Sequence, residues 1–425
     1  MAALVRTLVI AAIVVVGATL AANESRLHIV YSTSCNQGKR QLLSYALQTS
    51  AMAVGQQGKM TEMLSGCTPV EEATIAAEPS FYHTFSRHFT PSYSPHPVSG
   101  VNDDYTPYNK PFGLRHFLQT PGAVADDAIV VLLDADFILF KPIEVNTGRS
   151  MRKYYKGRRT DMILDTVENG VAIAQDWTAY IGSGWLNPSS NVKPFLCKVG
   201  QPCMNVSEAD AIEYFTSTGP PYILTKHDAL LMVDDYCAFV VEGRKHVDKD
   251  EWMPEMYALG VAMANHNIKQ TKVTNLGVTF PDHDVSEYWN FANESLPNPC
   301  QDAFDIVTPV DPPLGVHYCY PYGLLSPPEP SWHFTKYHLP ADILDCQSML
   351  LTPHPPSQWN EIAKLKPKLQ QKKRHEVWVE CTLVKVLNNV LLQAKQVLCP
   401  NGFNSHRGMS LDRDVFIQTG LPAPK

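Results

Sequence analysis

Ala128-Ile-Val-Val-Leu-Leu-Asp-Ala-Asp-Phe-Ile-Leu-Phe-Lys-Pro142 is the stretch on which the fold turns. Its first six residues form an unbroken apolar run, the pattern of a parallel strand buried on both faces rather than of a half-exposed one. Two carboxylates one residue apart, Asp134 and Asp136, end the run. Unpaired charge beside a buried strand is costly. A hard divalent cation, Mn2+ or Mg2+, removes that cost by taking the carboxylate oxygens as ligands. Asp-x-Asp is common in turns and helix caps, so its weight here comes from the strand that precedes it. A cation so placed can hold a diphosphate and neutralise it as it leaves, which is what transfer from a nucleotide-sugar requires.

Outward from this strand, His28-Ile-Val-Tyr-Ser-Thr33 reads as a second β-run, Leu42, Leu43, Ala46 and Leu47 mark a helix, and residues 60–65 return as a strand. Residues 78–111, rich in proline and aromatics, are expected to hold no regular element. Strand–helix–strand order with a buried central strand predicts a doubly wound α/β sheet, whose ligands bind at the carboxyl ends of the strands. The chain carries no G-x-G-x-x-G or Walker-type loop, so dinucleotide oxidoreductases and P-loop enzymes are poorly supported. With 425 residues, 44% of them hydrophobic, it can bury a large core, and a formal charge of −7 excludes a generally basic nucleic-acid binder. Its 33 prolines imply long loops.

Arg6 and the uncharged stretch Thr7–Ala22 resemble the start of a secreted chain. Sixteen residues at ~1.5 Å each fall short of a ~30 Å hydrocarbon core, so residues 1–22 read as a signal peptide, with a short signal anchor as the alternative. Three N-x-S sequons, at Asn23, Asn205 and Asn293, fit a lumenal body. Ten scattered cysteines in an oxidising compartment make disulfides expected, with Cys197–Cys203 the best local pair. The expected location is the Golgi or endoplasmic reticulum lumen, or secretion. Residues 23–350 are taken as one catalytic domain. Residues 351–425 are a proline-rich linker, a basic helix and a loose tail. Residues 361–399 carry eight basic side chains against three acidic, a local +5 that leaves −12 elsewhere. Leu383, Leu387, Val390, Ala394 and Val397 make an apolar stripe at helical spacing. That helix is expected to pack on the main domain with a solvated basic face; contact with a membrane surface is the livelier reading.

Several stretches together resemble one family. They are His28–Cys35, Leu64-Ser-Gly-Cys67, Tyr108-Asn-Lys-Pro111, the Asp134-Ala-Asp136 segment, Trp252-Met-Pro-Glu-Met-Tyr257, Val316-His-Tyr-Cys319 and Trp332-His-Phe-Thr-Lys336, in that order over residues 27–350. This resembles the peptidyl-serine galactosyltransferases and hydroxyproline arabinosyltransferases of plants and algae. The resemblance implies a GT-A-type doubly wound mixed sheet flanked by helices. It also implies a divalent metal, a UDP-sugar donor carrying galactose or arabinofuranose, and a polypeptide acceptor with serine or hydroxyproline hydroxyls. Retention of anomeric configuration, with the leaving diphosphate taking the acceptor proton, is implied as well. By the same resemblance Asp134, Asp136 and His317 are metal ligands. Asn109 and Lys110 bind the donor, or simply start a helix at Pro111. Thr33 and Ser34 hold base and ribose, or cap the next helix.

Glu255 is the catalytic candidate. On a helix it borders a stripe of Trp252, Met256, Leu259 and Met263, where a carboxylate can reach a cleft and orient the acceptor hydroxyl or the sugar; a solvated flank glutamate is the plain alternative. Asp228, Asp234 and Asp235 are taken as structural, and Tyr318, Tyr320, Trp332 and His333 as core packing or a sugar-stacking surface. The insertion around Pro188–Asn205 fits neither branch of the family, so donor and acceptor stay open. The competing function is a carbohydrate-binding protein on a decayed transferase fold, which would bind glycan without metal or UDP.

Overall fold

The computed structural model describes residues 26–96, 101–160, 165–301, 305–322, 334–353 and 355–409. Seven strands form the main sheet: β1 (Leu27–Ser34), β2 (Lys59–Ser65), β3 (Phe85–Thr90), β4 (Ile129–Asp134), β6 (Val171–Asp176), β7 (Thr218–Thr225) and β8 (Lys269–Val273). Their spatial order is β3-β2-β1-β4-β7-β6-β8, all parallel except β7. β4 is buried on both sides, as its composition requires. Ile129, Val131 and Leu133 enter one apolar core, while Val130 and Leu132 enter the other. Helices α1 (Arg40–Ala53) and α6 (Pro367–Leu398) cover the first face; α3 (Asn109–Gln119), α4 (Lys226–Arg244) and α5 (Pro254–Asn265) cover the second. α2 (Pro69–Ala76) is a short helix closed by a Thr68/Glu71 capping box. This is the α/β, doubly wound mixed sheet that the sequence leads one to expect, with a helical C-terminal region.

A two-stranded sheet sits at the carboxyl edge of β4. Its strands β5 (Phe137–Leu139) and β9 (Gly315–His317) run antiparallel with Phe137 opposite His317. Gly315 is needed there, because a Cβ would overlap the Phe137 ring and the Ile138 carbonyl. The pairing carries His317 from nearly two hundred residues away to a position beside the two aspartates.

Three expectations are corrected. Residues 78–111 contain β3, an edge strand whose Ser86, Arg87 and His88 are only half-buried or exposed, so it lacks the apolar run that marks an interior strand. The basic face of the C-terminal segment is solvated only in part: Lys364, Lys366 and Lys368 are exposed, but the lysines further along α6 are not. Lys385 donates to the Asp305 carbonyl at 2.8 Å, Lys395 reaches the Ser348 carbonyl, and Lys373 pairs with Glu376 at 2.9 Å, all three lysines being buried. Trp378, Leu383, Leu387 and Val390 belong to the main core, whereas Val397 is exposed. Within the expected loose tail, β11 (Arg407–Met409) pairs with β10 (Leu350–Leu351).

Disulfides join Cys197 to Cys203, as expected, and also Cys35 to Cys67, Cys300 to Cys381 and Cys346 to Cys399. The last two tie α6 to the body. Among the described residues no helix is long and apolar enough to cross a membrane. The segment 1–22, the Asn23 sequon, Trp332, His333 and residues 410–425 lie outside the described residues. Asn205 and Asn293 are exposed.

Candidate metal and donor site

β1 and β4 run side by side with Ser32 opposite Asp134, so both strands end at the same cleft. Ser32, Thr33, Ser34, Asn109, Lys110, Asp134, Asp136, Glu255 and His317 all line it, together with Gln37, Thr106, Trp177, Trp252 and Lys336. Every expected site residue is therefore brought to one place.

Asp134, Asp136 and His317 each offer a ligand atom, and these atoms lie within 4.8 Å of one another. His317 Nε2 is 3.4 Å from Asp134 and 3.5 Å from Asp136. The imidazole is only 3% exposed; among the described residues Nδ1 has no hydrogen-bond partner, and Nε2 faces only the two carboxylates. The Phe137 and Trp177 rings stack against it. A buried imidazole whose Nε2 faces two carboxylates fits a divalent cation: the ion would take that nitrogen and both acids as ligands at once.

Two lysines complete the electrostatics. Lys110 Nζ lies 2.7 Å from Asp134 and 3.2 Å from Glu255, and Lys336 pairs with Asp136. Burial opposes ionisation of both aspartates. Lys110 and His317 nevertheless hold the Asp134 carboxyl well below the usual carboxylate range, and Lys336 and His317 do the same for Asp136. Burial likewise works against charge on the lysines, and the carboxylates outweigh it, so both stay protonated. Lys336 stood in a matched stretch without a role; nineteen residues separate it from His317, and no local spacing reveals that they share a site.

Glu255 is not a solvated flank. It is 4% exposed in the first turn of α5, where Tyr236 donates to one oxygen and Lys110 to the other, and burial pushes its carboxyl up. The helix is buried nearly all round, which puts Glu255 inside rather than at a border. Trp252 is corrected in the opposite sense: it precedes the helix and is 64% exposed at the cleft rim. Its loop is nonetheless held. Tyr105 donates to the Trp252 carbonyl, and the buried Arg244 donates to the carbonyls of Lys249 and Glu251.

Thr33 and Asn109 reach the cleft with polar groups already engaged. Thr33 donates to buried Glu62 at 3.0 Å, and the Asn109 side-chain oxygen accepts from the Tyr93 amide at 3.0 Å. The amide of Ser34 meets Gln37 at 3.4 Å. Asp228 accepts from the Gly170 amide, Asp234 pairs with Arg115, and Asp235 holds Asn265 and His266; none lines the cleft. Tyr318 is fully buried against Phe334 and Tyr320 packs on Phe280, so these rings are core packing.

No family model matches the chain. Over 143 residues, 32% of its length, it is 34% identical to the peptidyl serine alpha-galactosyltransferase of Arabidopsis thaliana. The match bears out the resemblance. It takes in only 16% of that relative. Two solved structures overlay on the chain at 12% identity. One is an active-site mutant of LgtC, with a TM-score of 0.37 over 72% of this chain and 91% of that one. The other is the galactosyltransferase LgtC in complex with donor and acceptor sugar analogs, at 0.31 over 71% and 90%. Scores this low add nothing to the fold, which rests on the strand order and register given above.

Proposed function

We propose that this chain is a metal-dependent glycosyltransferase that moves galactose or arabinofuranose from a UDP-sugar to serine or hydroxyproline hydroxyls of secretory-pathway proteins, with retention. The observation that carries it is the convergence of Asp134, Asp136 and His317 at the carboxyl end of β4, flanked by two half-buried ammoniums. Similarity to a peptidyl serine galactosyltransferase supports the donor and acceptor classes.

Asp134, Asp136 and His317 would hold Mn2+ or Mg2+. Bound there, the ion supplies Lewis-acid neutralisation of a diphosphate. The protein's own charges favour that ligand only with the cation in place. Three carboxylates, Glu255 included, face two lysines and the protonated His317, so the apo cleft is near neutral, and a divalent cation turns it positive. Lys110 and Lys336 would then turn from the carboxylates to the phosphate oxygens.

Transfer breaks the bond between the anomeric carbon and the diphosphate oxygen and forms one to the acceptor oxygen. The acceptor proton goes to the departing phosphate. Tyr236 holds one oxygen of Glu255, and the oxygen that Lys110 releases would be free to orient the sugar or acceptor hydroxyl. Four disulfides and two exposed sequons support a lumenal setting. The test is product analysis. Purified protein with Mn2+, UDP-galactose or UDP-arabinofuranose, and peptides bearing serine or hydroxyproline should yield glycopeptide by mass spectrometry. Glycan binding that needs neither UDP nor metal, with no transfer, would support the decayed-fold reading instead.

A further inference from the structure

In the proposed metal set, His317 is held in place in an uncommon way. A metal-binding imidazole ordinarily donates from its far nitrogen to a carboxylate, a carbonyl or water, and that bond orients the ring. Here Nδ1 meets no such partner among the described residues. Orientation falls instead to the backbone of His317 and to the rings packed on it. The His317 amide donates to the Val278 carbonyl at 3.0 Å, and the Val278 amide donates to the Gly315 carbonyl at 3.1 Å, so Val278 runs beside β9. Of the two rings stacked on the imidazole, Phe137 belongs to β5. The other, Trp177, lies 5.7 Å away between centroids, and Tyr180 packs on it at 4.6 Å. Gly219 gives that indole its place, because a Cβ there would overlap it.

Both supports meet at Glu287, which does not line the cleft and is 1% exposed. One carboxyl oxygen lies 2.8 Å from the Tyr180 hydroxyl. The other accepts from the Thr279 amide at 2.8 Å and from the Trp289 indole at 2.9 Å, and the Phe280 amide reaches both oxygens. Thr279 and Phe280 directly follow Val278, and Tyr180 backs Trp177, so one side chain ties the strand beside His317 to the ring stacked on it. The neighbouring residue laces the same junction. Ser286 Oγ accepts from the Ala179 amide at 2.7 Å, and its carbonyl accepts from Gln175 at 2.9 Å. Gln175 in turn accepts from the Gly277 amide at 2.8 Å. We infer that Glu287 is a positioning residue for the metal. By holding the Val278–Phe280 backbone and the Tyr180–Trp177 pair, it keeps the imidazole aimed at Asp134 and Asp136. It touches neither metal nor substrate, and the inference rests on the metal-dependent reading above.

The test measures Mn2+ binding to the full-length protein at saturating UDP, well below each variant's melting temperature. Electron paramagnetic resonance counts the free ion, and electron spin-echo modulation reads the nitrogen of a bound imidazole. Glu287→Leu keeps much of the volume without the hydrogen bonds and is expected to weaken Mn2+ binding at least ~10-fold, with reduced nitrogen modulation. Glu287→Gln should recover most of the affinity, since its oxygen can serve the two backbone amides while its amino group turns to the Tyr180 hydroxyl. Tyr180→Phe, which breaks one link only, should lie between. A double variant, Cys300→Ser with Cys381→Ser, loosens the fold elsewhere and should bind Mn2+ as the wild type does. Wild-type affinity and modulation in Glu287→Leu would overturn the inference and leave the metal site standing; so would an equal loss in the disulfide variant. Should Glu287→Leu not fold, unchanged binding by Tyr180→Phe overturns it. A wild type that binds no Mn2+, or binds it without nitrogen modulation, overturns the metal reading and this inference with it.

Discussion

Lys110→Met tests the electrostatics of the site with one atom group removed. The ammonium sits between Asp134 at 2.7 Å and Glu255 at 3.2 Å, and methionine keeps much of the stem without the charge. Removing one member of a buried pair costs ~3–5 kcal/mol. The Asp134 side chain keeps 25% exposure and His317 as a neighbour, so the lower figure, about 3 kcal/mol, is expected near neutral pH. The two acids contribute with different pH dependence. Asp134 has a depressed folded pKa, so its contribution is present above the unfolded value and lost as pH falls; without Lys110 that gain shrinks by a constant amount above about pH 5. Glu255 is pushed up by burial and restrained by Lys110. In the variant it rises further, and a raised carboxyl loses stability as pH rises through its folded pKa, by ~1.4 kcal/mol for each added unit. Urea unfolding in EDTA at pH 5.5 and 8.0 is the assay. The deficit of the variant should be larger at pH 8.0, and Lys110→Arg should recover most of it. A variant within ~0.5 kcal/mol of wild type at both pH values, or an equal deficit at both, would refute the reasoning.

Glu287 is buried beneath the Tyr180, Thr279, Phe280 and Trp289 donors, and burial pushes its carboxyl up to about 8. Its folded pKa lies above the unfolded one, so its stabilising contribution is lost as pH rises from about 5 through 8. The stability difference between wild type and Glu287→Gln should therefore change sign or shrink over that range, measured by urea midpoints; a constant difference would count against it. The Cys300–Cys381 bridge closes a loop of sequence separation 81 and anchors α6. The double serine variant should lose ~2–5 kcal/mol, read as a lower melting temperature under non-reducing conditions. Trp252→Ala should leave stability within ~0.5 kcal/mol, because the ring is exposed, yet raise KM for donor or acceptor; a wild-type KM would remove Trp252 from the site.

The fold was legible because β4 is apolar at every position before Asp134, and that pattern has one common meaning. The metal set was half legible. Asp134 and Asp136 are local, while His317 joins them only through the β5–β9 pairing, and the family resemblance pointed to it before any geometry did. Lys336 and Tyr236 were not legible, since nothing in spacing tells that a lysine or tyrosine will meet a given carboxylate across the fold. β3 escaped because edge strands carry polar residues. The lysines of α6 were misread for a physical reason: a long stem can bury itself and still deliver its ammonium to a backbone carbonyl, so charge alone does not mark a solvated face.

The central claim is that Asp134, Asp136 and His317 hold a divalent cation that is required for a UDP-sugar to bind. Thermal melting of the wild type, Asp136→Asn and His317→Ala, each with UDP alone, Mn2+ alone and both together, tests it most directly. Binding to the folded state raises the melting temperature. The wild type should rise clearly only with UDP and Mn2+ together, and both variants should lose that rise. An equal rise with UDP in EDTA, or a full rise in Asp136→Asn, would contradict the account.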